Sequence, residues 1–358
     1  MPAVTPAPAP ARCPKGPGTQ ESGVLPRPAP SPRRVGLVGY FGWGNFGDEL
    51  MLQVWRNAFR DVAPAEPVHS LLRKPYFTER ADAIARRHDS IVIGGGDLVV
   101  PDNMSSLYWN RAWLERPIVL AGIGVALEGE RCRPDVVDRL RTFFSHEAVR
   151  SITVRDRGSA VWIEQQLTPA VPVHISADLA FAADLPPADE RAPGRVGVVL
   201  RKTPSAGDRQ TVERIHSWAN RHGLSLELLC LAVGTTRDQE LEGIRDVFGD
   251  RFPLRACHSV KEMCRAIGAC AVLFTAKFHG AVIAARYGVP ALSLRPTHKI
   301  SALAEQLGDP GLLRNPLHLT DNQLWETAHR PVPAEPVRSA EVSARAAVRR
   351  AVEAATSV

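Results

Sequence analysis

One recurring unit constrains the fold of this chain more than any other feature: a short apolar run, a turn rich in glycine or charge, then apolar residues at helical spacing. Residues 35–38 lead into a loop with glycine at 39, 42, 44 and 47, after which 49–59 carries Leu50, Val54, Trp55 and Ala58 on one helical face. Further apolar strands are expected at 90–93, 117–120, 151–154 and 171–175. Strands that alternate with helices predict a parallel sheet covered on both faces.

The segment 185–194 (LPPADERAPG) is dense in proline and charge, and strand 195–200 restarts the pattern. Helix 208–221, strand 225–231, helices 236–248 and 259–267, strand 271–275, a helix at about 278–287 and strand 290–294 complete a second set. At 358 residues, with roughly 150 per domain as a guide, two domains are expected. Their bounds are set at 35–188 and 189–325, after a leader over 1–34 and before a proline-rich linker and C-terminal helix over 326–358. That helix should dock through Ala344, Val348, Val352 and Ala355. Two α/β domains in tandem leave a cleft outside the carboxyl ends of their sheets, where ligands of open α/β sheets bind.

Residues 1–34 hold ten of the thirty prolines, a composition that neither fills a core nor supplies backbone donors, so a disordered leader is expected. The leader also carries five Lys or Arg against Glu21, so the formal net charge of +6 falls to near +2 over the remaining residues. A nearly neutral body without interleaved aromatic and basic residues argues against nucleic-acid binding. No apolar run approaches the roughly 20 residues of a membrane span, and the N-terminus lacks a secretory apolar segment. Cys13, Cys132, Cys230, Cys257, Cys264 and Cys270 form no CxxC pair and no zinc-like cluster. They read as buried thiols of a reducing compartment, with the cytoplasm as the expected location.

Five motifs could carry chemistry. The loop GYFGWGNFGDE (39–49) offers Gly44, Asn45, Gly47 and Asp48 where a strand passes into a helix, so backbone N–H groups could hold an anion or hydroxyls. Its spacing matches neither GxGxxG nor a Walker loop, and a plain tight turn is the alternative. IGGGD (93–97) brings Gly95, Gly96 and Asp97 to the next strand end, with Asp97 a candidate base or simply a turn cap. Arg155 in VRDRGS (154–159) is either an anion clamp or half of an ion pair. Lys277 and His279 sit two apart at a helix start, where an anion would bind well and His279 could act as a general acid. Arg295, His298 and Lys299 add a basic cluster after the next strand, or a solvated loop.

At these residues the chain resembles the polysaccharide pyruvyl transferase family. The similarity runs through GYFGWGNFGDE, IGGGDLV, AGIGVAL (121–127), RDRGS, SADLAF (176–181) and KFHGAVIAARYGVP (277–290), in the family's order, over about 35–305. The resemblance implies an α/β fold of the glycosyltransferase-B type, with two Rossmann-like domains facing a central cleft. It further implies a transferase that uses phosphoenolpyruvate to build pyruvate ketals on sugars of cell-surface polymers. Arg155 and Lys277 would then bind the donor and His279 would be catalytic, with no metal or organic cofactor. Lys277 stands where the family commonly has Arg, which keeps the charge but loses the bidentate fork. The implied partners are phosphoenolpyruvate and a saccharide acceptor, with peripheral membrane contact if that acceptor is lipid-linked. Two other readings stay open: a sugar-nucleotide glycosyltransferase on the same architecture, and a non-catalytic relative that binds a glycan or a protein.

Overall fold

The computed structural model describes residues 3, 5, 33–129, 131–190 and 194–357. Apart from those few positions, the disordered leader expected over 1–34 lies outside the described residues. Within the first half, β1 (Val35–Val38) is buried at every residue, as befits a strand with helices on both faces. It is followed by α1 (Phe46–Phe59), β2 (Ala65–Pro67), α2 (Ala81–Arg86), β3 (Ser90–Val99), β4 (Ile118–Val125), α3 (Pro134–Phe144), β5 (Val149–Val154), α4 (Arg157–Leu167) and β6 (Val173–Ile175). The six strands are parallel, in the order β2-β1-β3-β4-β5-β6.

The second half repeats the plan with β7 (Arg195–Val199), α5 (Ala206–Arg221), β8 (Ser225–Cys230), α6 (Gly234–Phe248), β9 (Leu254–Ala256), α7 (Val260–Gly268), β10 (Val272–Thr275), α8 (Phe278–Arg286) and β11 (Ala291–Ser293). These five strands are also parallel, in the order β11-β10-β7-β8-β9. Then come α9 (His298–Leu307), α10 (Asp321–Ala328) and α11 (Ala334–Thr356). The result is an α/β fold of two Rossmann-like domains.

Several local expectations need correction. The glycines of IGGGD do not end their strand, because the backbone goes on pairing with β4 at Gly94↔Ala121 and Gly96↔Ile123, with the register shifting only beyond Gly96. The strands β2 and β9 have sequences AEP and LRA, which contain no apolar run to signal them. His298 and Lys299 open the helix α9 rather than a loop. Cys132 is exposed, unlike Cys230, Cys257, Cys264 and Cys270, and Cys13 lies outside the described residues.

One apolar core passes through both halves, joining Leu37 and Trp55 of the first to Val282 and Leu303 of the second. α11 belongs to it through Ala340, Ala344, Ala347 and Ala351. Its alanine stripe brings it close to β4 and to the 3-10 turn Leu179–Ala182. Val352 is only half-buried, so the docking stripe is narrower at that position than the sequence suggests. A hydrogen bond from Ala177 N to Ser343 Oγ (3.2 Å) and the Arg286–Glu341 ion pair (2.8 Å) tie the helix down at both sides. The last helix of the chain therefore returns to the first domain and fixes one domain against the other.

Candidate active site

Strand order reverses between β1 and β3 in the first sheet and between β7 and β10 in the second. Such switch points open a crevice at the carboxyl ends of the strands, because the helices on either side leave in opposite directions. Here the strand ends carry the 39–48 loop, Arg201 and Lys202, and 276–279, and together with Gly96 and Asp97 inside β3 they contribute to one cleft of about 490 Å³. Arg155, which follows β5, and Lys299 of α9 complete its wall. A separate cavity of about 420 Å³ between α1 and α11 mixes aliphatic residues such as Val54, Ala58, Val348 and Val352 with charged ones such as Arg345 and Glu353, and shares no lining residue with the cleft.

The first loop is held from both sides. Glu49 Oε1 accepts from Gly42 N (2.7 Å) and Gly44 N (2.9 Å), while Asn45 Nδ2 donates to Asp48. Across the cleft, Val233 N donates to Gly44 O (2.8 Å) and Thr236 Oγ1 to Trp43 O. Gly44 has φ +85°, and a Cβ there would fall 2.1 Å from Val233 O, so only glycine permits this junction. A Cβ on Gly47 would fall 1.7 Å from His279 Nδ1. The glycines of the first domain are thus shaped around the histidine of the second.

His279 lies in the first turn of α8, and its Nε2 is 3.5 Å from Asp178 Oδ1. Asp178 is fully buried just before the turn Leu179–Ala182, whose Ala180 N it also accepts (2.9 Å). Burial opposes its ionisation, but the adjacent His279 and then Arg155 outweigh that cost and hold its pKa down at about 2. Arg155 is buried as well, paired with Asp97 and 3.7 Å from both Asp156 and Asp178, with its guanidinium 5.0 Å from the centre of the Phe278 ring. Three buried atoms in this group, His279 Nε2, Arg155 Nε and Asp178 Oδ2, lack a hydrogen-bond partner among the described residues. Each of the three atoms nevertheless lies 3.5–3.7 Å from an ionic partner, which offsets part of the cost of burying it.

The remaining charges divide into paired and unpaired. Lys277 Nζ donates to Glu240 (2.5 Å) and Leu231 O (2.9 Å), and Lys299 Nζ to Asp97 (3.1 Å). Arg201 and Lys202 are exposed and have no ion pair among the described residues. Asp48 is pushed up to about 6 by burial, against the lowering effect of the Asn45 hydrogen bond and of His279. Burial likewise raises the phenols of Tyr40 and Tyr108, which line the same cleft with Asp48 beside them.

Of the residues singled out from sequence, Asn45, Asp48, Gly96, Asp97, Arg155, Lys277, His279 and Lys299 line the cleft. Gly44 and Gly47 form the domain junction behind it, and Gly95 packs on Met51. Arg295 is placed elsewhere, donating to Asp208 (2.6 Å) and Ser205 (2.9 Å) at the start of α5. His298 packs on Gly158 and lines a neighbouring cavity of about 450 Å³ on the far side of Arg155. Asp178, Arg201, Lys202 and Glu240 were not among the expected site residues. Asp178 sits within the SADLAF stretch, and Arg201 and Lys202 directly follow a predicted strand, so both had a usable signal, whereas Glu240 lies unmarked within a helical run.

The model of the polysaccharide pyruvyl transferase family matches residues 45–298, from the glycine loop to the start of α9. The chain belongs to that family. It is a transferase, and the match spans every strand end that lines the cleft except that of β1. A search among curated proteins found no match. Solved structures with similar folds include the UDP-GlcNAc 2-epimerase of Methanocaldococcus jannaschii, with a TM-score of 0.55, 9% identity, and coverage of 88% of this chain and 98% of that one. The UDP-N-acetylglucosamine 2-epimerase of Rickettsia bellii has a TM-score of 0.53 and 12% identity, covering 90% of this chain and 96% of its own. Anabaena HepE in complex with UDP and glucose has a TM-score of 0.50 and 12% identity, covering 91% of this chain and 97% of its own. These likenesses place the fold in the glycosyltransferase-B type. Among the described residues no helix is long and apolar enough to cross a membrane.

Proposed function

We propose that this member of the family transfers the enolpyruvyl unit of phosphoenolpyruvate to two hydroxyls of a saccharide, forming a pyruvate ketal and releasing phosphate. The observation that carries this reading is the convergence of His279, Arg155, Lys277, Lys299, Arg201 and Lys202 on one cleft. Phosphoenolpyruvate has a phosphate and a carboxylate to neutralise and a methylene carbon that must be protonated, so it needs several cations and one positioned acid.

In this mechanism the His279 ring donates a proton to the methylene carbon, and the C=C electron pair forms the new C–H bond. The central carbon becomes oxocarbenium-like while the cations hold the phosphate and carboxylate. One acceptor hydroxyl attacks that carbon, and a second then displaces phosphate by cleavage of its C–O bond. Of the two hydroxyl protons, one leaves with phosphate and the other restores His279. Asp48 suits the role of base better than Asp97, because Asp97 is engaged by both Arg155 and Lys299 whereas burial makes Asp48 the more basic carboxylate. Arg201 and Lys202, free of ion pairs, would meet the donor first, and Lys277 would exchange Glu240 for it.

One observation favours a second reading, sugar-nucleotide glycosyl transfer: Glu240 is a second-domain carboxylate lining the cleft, the group such an enzyme uses for ribose hydroxyls. Its two oxygens, however, already accept from Leu231 N (3.2 Å) and Lys277. Thermal unfolding with phosphoenolpyruvate and with a panel of sugar nucleotides separates the two, since a ligand at about 100 times its Kd adds about 2.7 kcal/mol. Stabilisation by phosphoenolpyruvate that vanishes in Lys277→Ala supports pyruvyl transfer, and stabilisation by sugar nucleotides alone overturns it.

A further inference from the structure

Beside the cleft lies an aromatic surface that the chemistry above leaves unused. Tyr40 is 39% exposed and stacks on Trp43, with ring centroids 4.5 Å apart and planes 13° from parallel. Behind this pair Trp43 meets His69 (5.1 Å) and the edge of Tyr76 (6.3 Å), Tyr76 meets Phe77, and Phe77 packs on the fully buried Trp113. The chain of rings anchors an exposed platform to the core of the first domain. The loop that carries Tyr76 is closed on itself, since Ser70 N and Leu71 N both donate to Tyr76 O (3.0 Å) and Thr78 N donates to Ser70 Oγ (2.9 Å).

Two features identify what this platform would hold. First, it is continuous with the cleft, because Tyr40 lines both, together with Tyr108 and Asp48. Second, it is an exposed aromatic face bordered by polar groups, and neither the Tyr40 nor the Tyr108 phenol has a hydrogen bond among the described residues. An aromatic face carries negative quadrupole charge, which complements the slightly positive C–H face of a pyranose ring, while phenols and a carboxylate suit its hydroxyls. A purely apolar partner would leave those phenols unsatisfied.

We infer that Tyr40, stacked on Trp43, is the platform for the acceptor sugar, holding a pyranose by its C–H face with its hydroxyls turned toward Asp48. This rests on the pyruvyl-transfer reading for the identity of the donor, but the platform itself is tested without it. The Tyr40 ring then decides which sugars are accepted: those with a continuous C–H face fit, and those with an axial hydroxyl on that face are disfavoured.

The test uses the full chain and methyl glycosides of glucose, galactose, mannose and N-acetylglucosamine as probes. Saturation-transfer NMR, irradiating aromatic protein protons, should light the C–H protons of one face of at least one glycoside. Tyr40→Ala should weaken that binding about fivefold or more, Tyr40→Phe should retain it, and both should keep the wild-type stabilisation by phosphoenolpyruvate. Because Tyr40 is exposed, its variants are expected to fold, and their unmodified melting temperatures check this. Absence of transfer to all four glycosides, or transfer unchanged in Tyr40→Ala, overturns the inference. If glycosides bind as described but phosphoenolpyruvate stabilises nothing, the platform stands and the donor assignment fails.

Discussion

The two walls of the cleft carry opposite charge. The first domain contributes the carboxylates Asp48 and Asp97 and the phenols of Tyr40 and Tyr108, whereas the second contributes Arg201, Lys202, Lys277, His279 and Lys299. Each wall has one exception, and both exceptions are buried and paired: Arg155 among the acids, and Glu240 beneath Lys277. A cleft of this kind separates its tasks. The cationic wall suits an anionic donor, the acidic and aromatic wall suits an acceptor that must lose protons, and His279 reaches from the one to the buried Asp178 of the first domain.

If that division is correct, His279→Ala removes the proton donor while leaving the cations in place. Phosphate release from phosphoenolpyruvate in the presence of acceptor is expected to fall about 10³-fold in kcat, within the usual range for a general acid, while stabilisation by phosphoenolpyruvate persists. A variant that also loses the stabilisation would mean that His279 binds the donor rather than protonating it.

The two carboxylates nearest His279 should then respond to pH in opposite senses. Asp48 has a native pKa of about 6 against an ordinary value of 3.8, so the native state binds its proton more tightly than the unfolded chain does. Its contribution is present below about pH 4 and is lost as pH rises through 6, a change on the order of 3 kcal/mol. Urea unfolding between pH 4 and 7 should show this loss in the wild type and a flatter profile in Asp48→Asn. Asp178, held at about 2, runs the other way: its contribution is present above about pH 4 and lost as pH falls toward 2, on the order of 2 kcal/mol. Asp178→Asn should flatten that acid limb only. Parallel profiles for the two variants would show that the two acids do not sit in the contrasting environments described above.

Why some of this was legible in the sequence and some was not is clearest from three basic side chains that follow strands. Lys277 was readable because it stands two residues before His279 at a helix start, a local pattern. Arg201 and Arg295 look alike in sequence, each following an apolar strand of the second domain. What separates them is strand order: β7 lies at the switch point, whereas β11 is the edge strand, so Arg201 lines the cleft and Arg295 turns to Asp208. Order within a sheet is set by long-range packing and leaves no mark in the local pattern. The same holds for Glu240, whose importance comes from a partner 37 residues away in the chain, Lys277. The alternation of strands and helices, by contrast, is a short-range property, and the strands that escaped it are AEP and LRA, which have no apolar run to show.

The smallest expected effect falls on the pair of cations that sequence left unremarked. Arg201 and Lys202 have no carboxylate to release, so a donor can engage them without breaking an ion pair, unlike Lys277 or Lys299. They are also exposed, so water and salt screen them and each contact is worth less than a buried one. Replacing both with Ala should therefore raise KM for phosphoenolpyruvate about tenfold, the equivalent of about 1.4 kcal/mol, with kcat little changed. Raising the ionic strength should erode the wild-type advantage over the double variant, because the screened charges are the ones removed. An unchanged KM would leave donor capture to Arg155, Lys277 and Lys299 alone and would require the donor to displace Asp97 and Glu240 on entry. A fall in kcat of similar size would instead place Arg201 and Lys202 against the phosphate as it leaves.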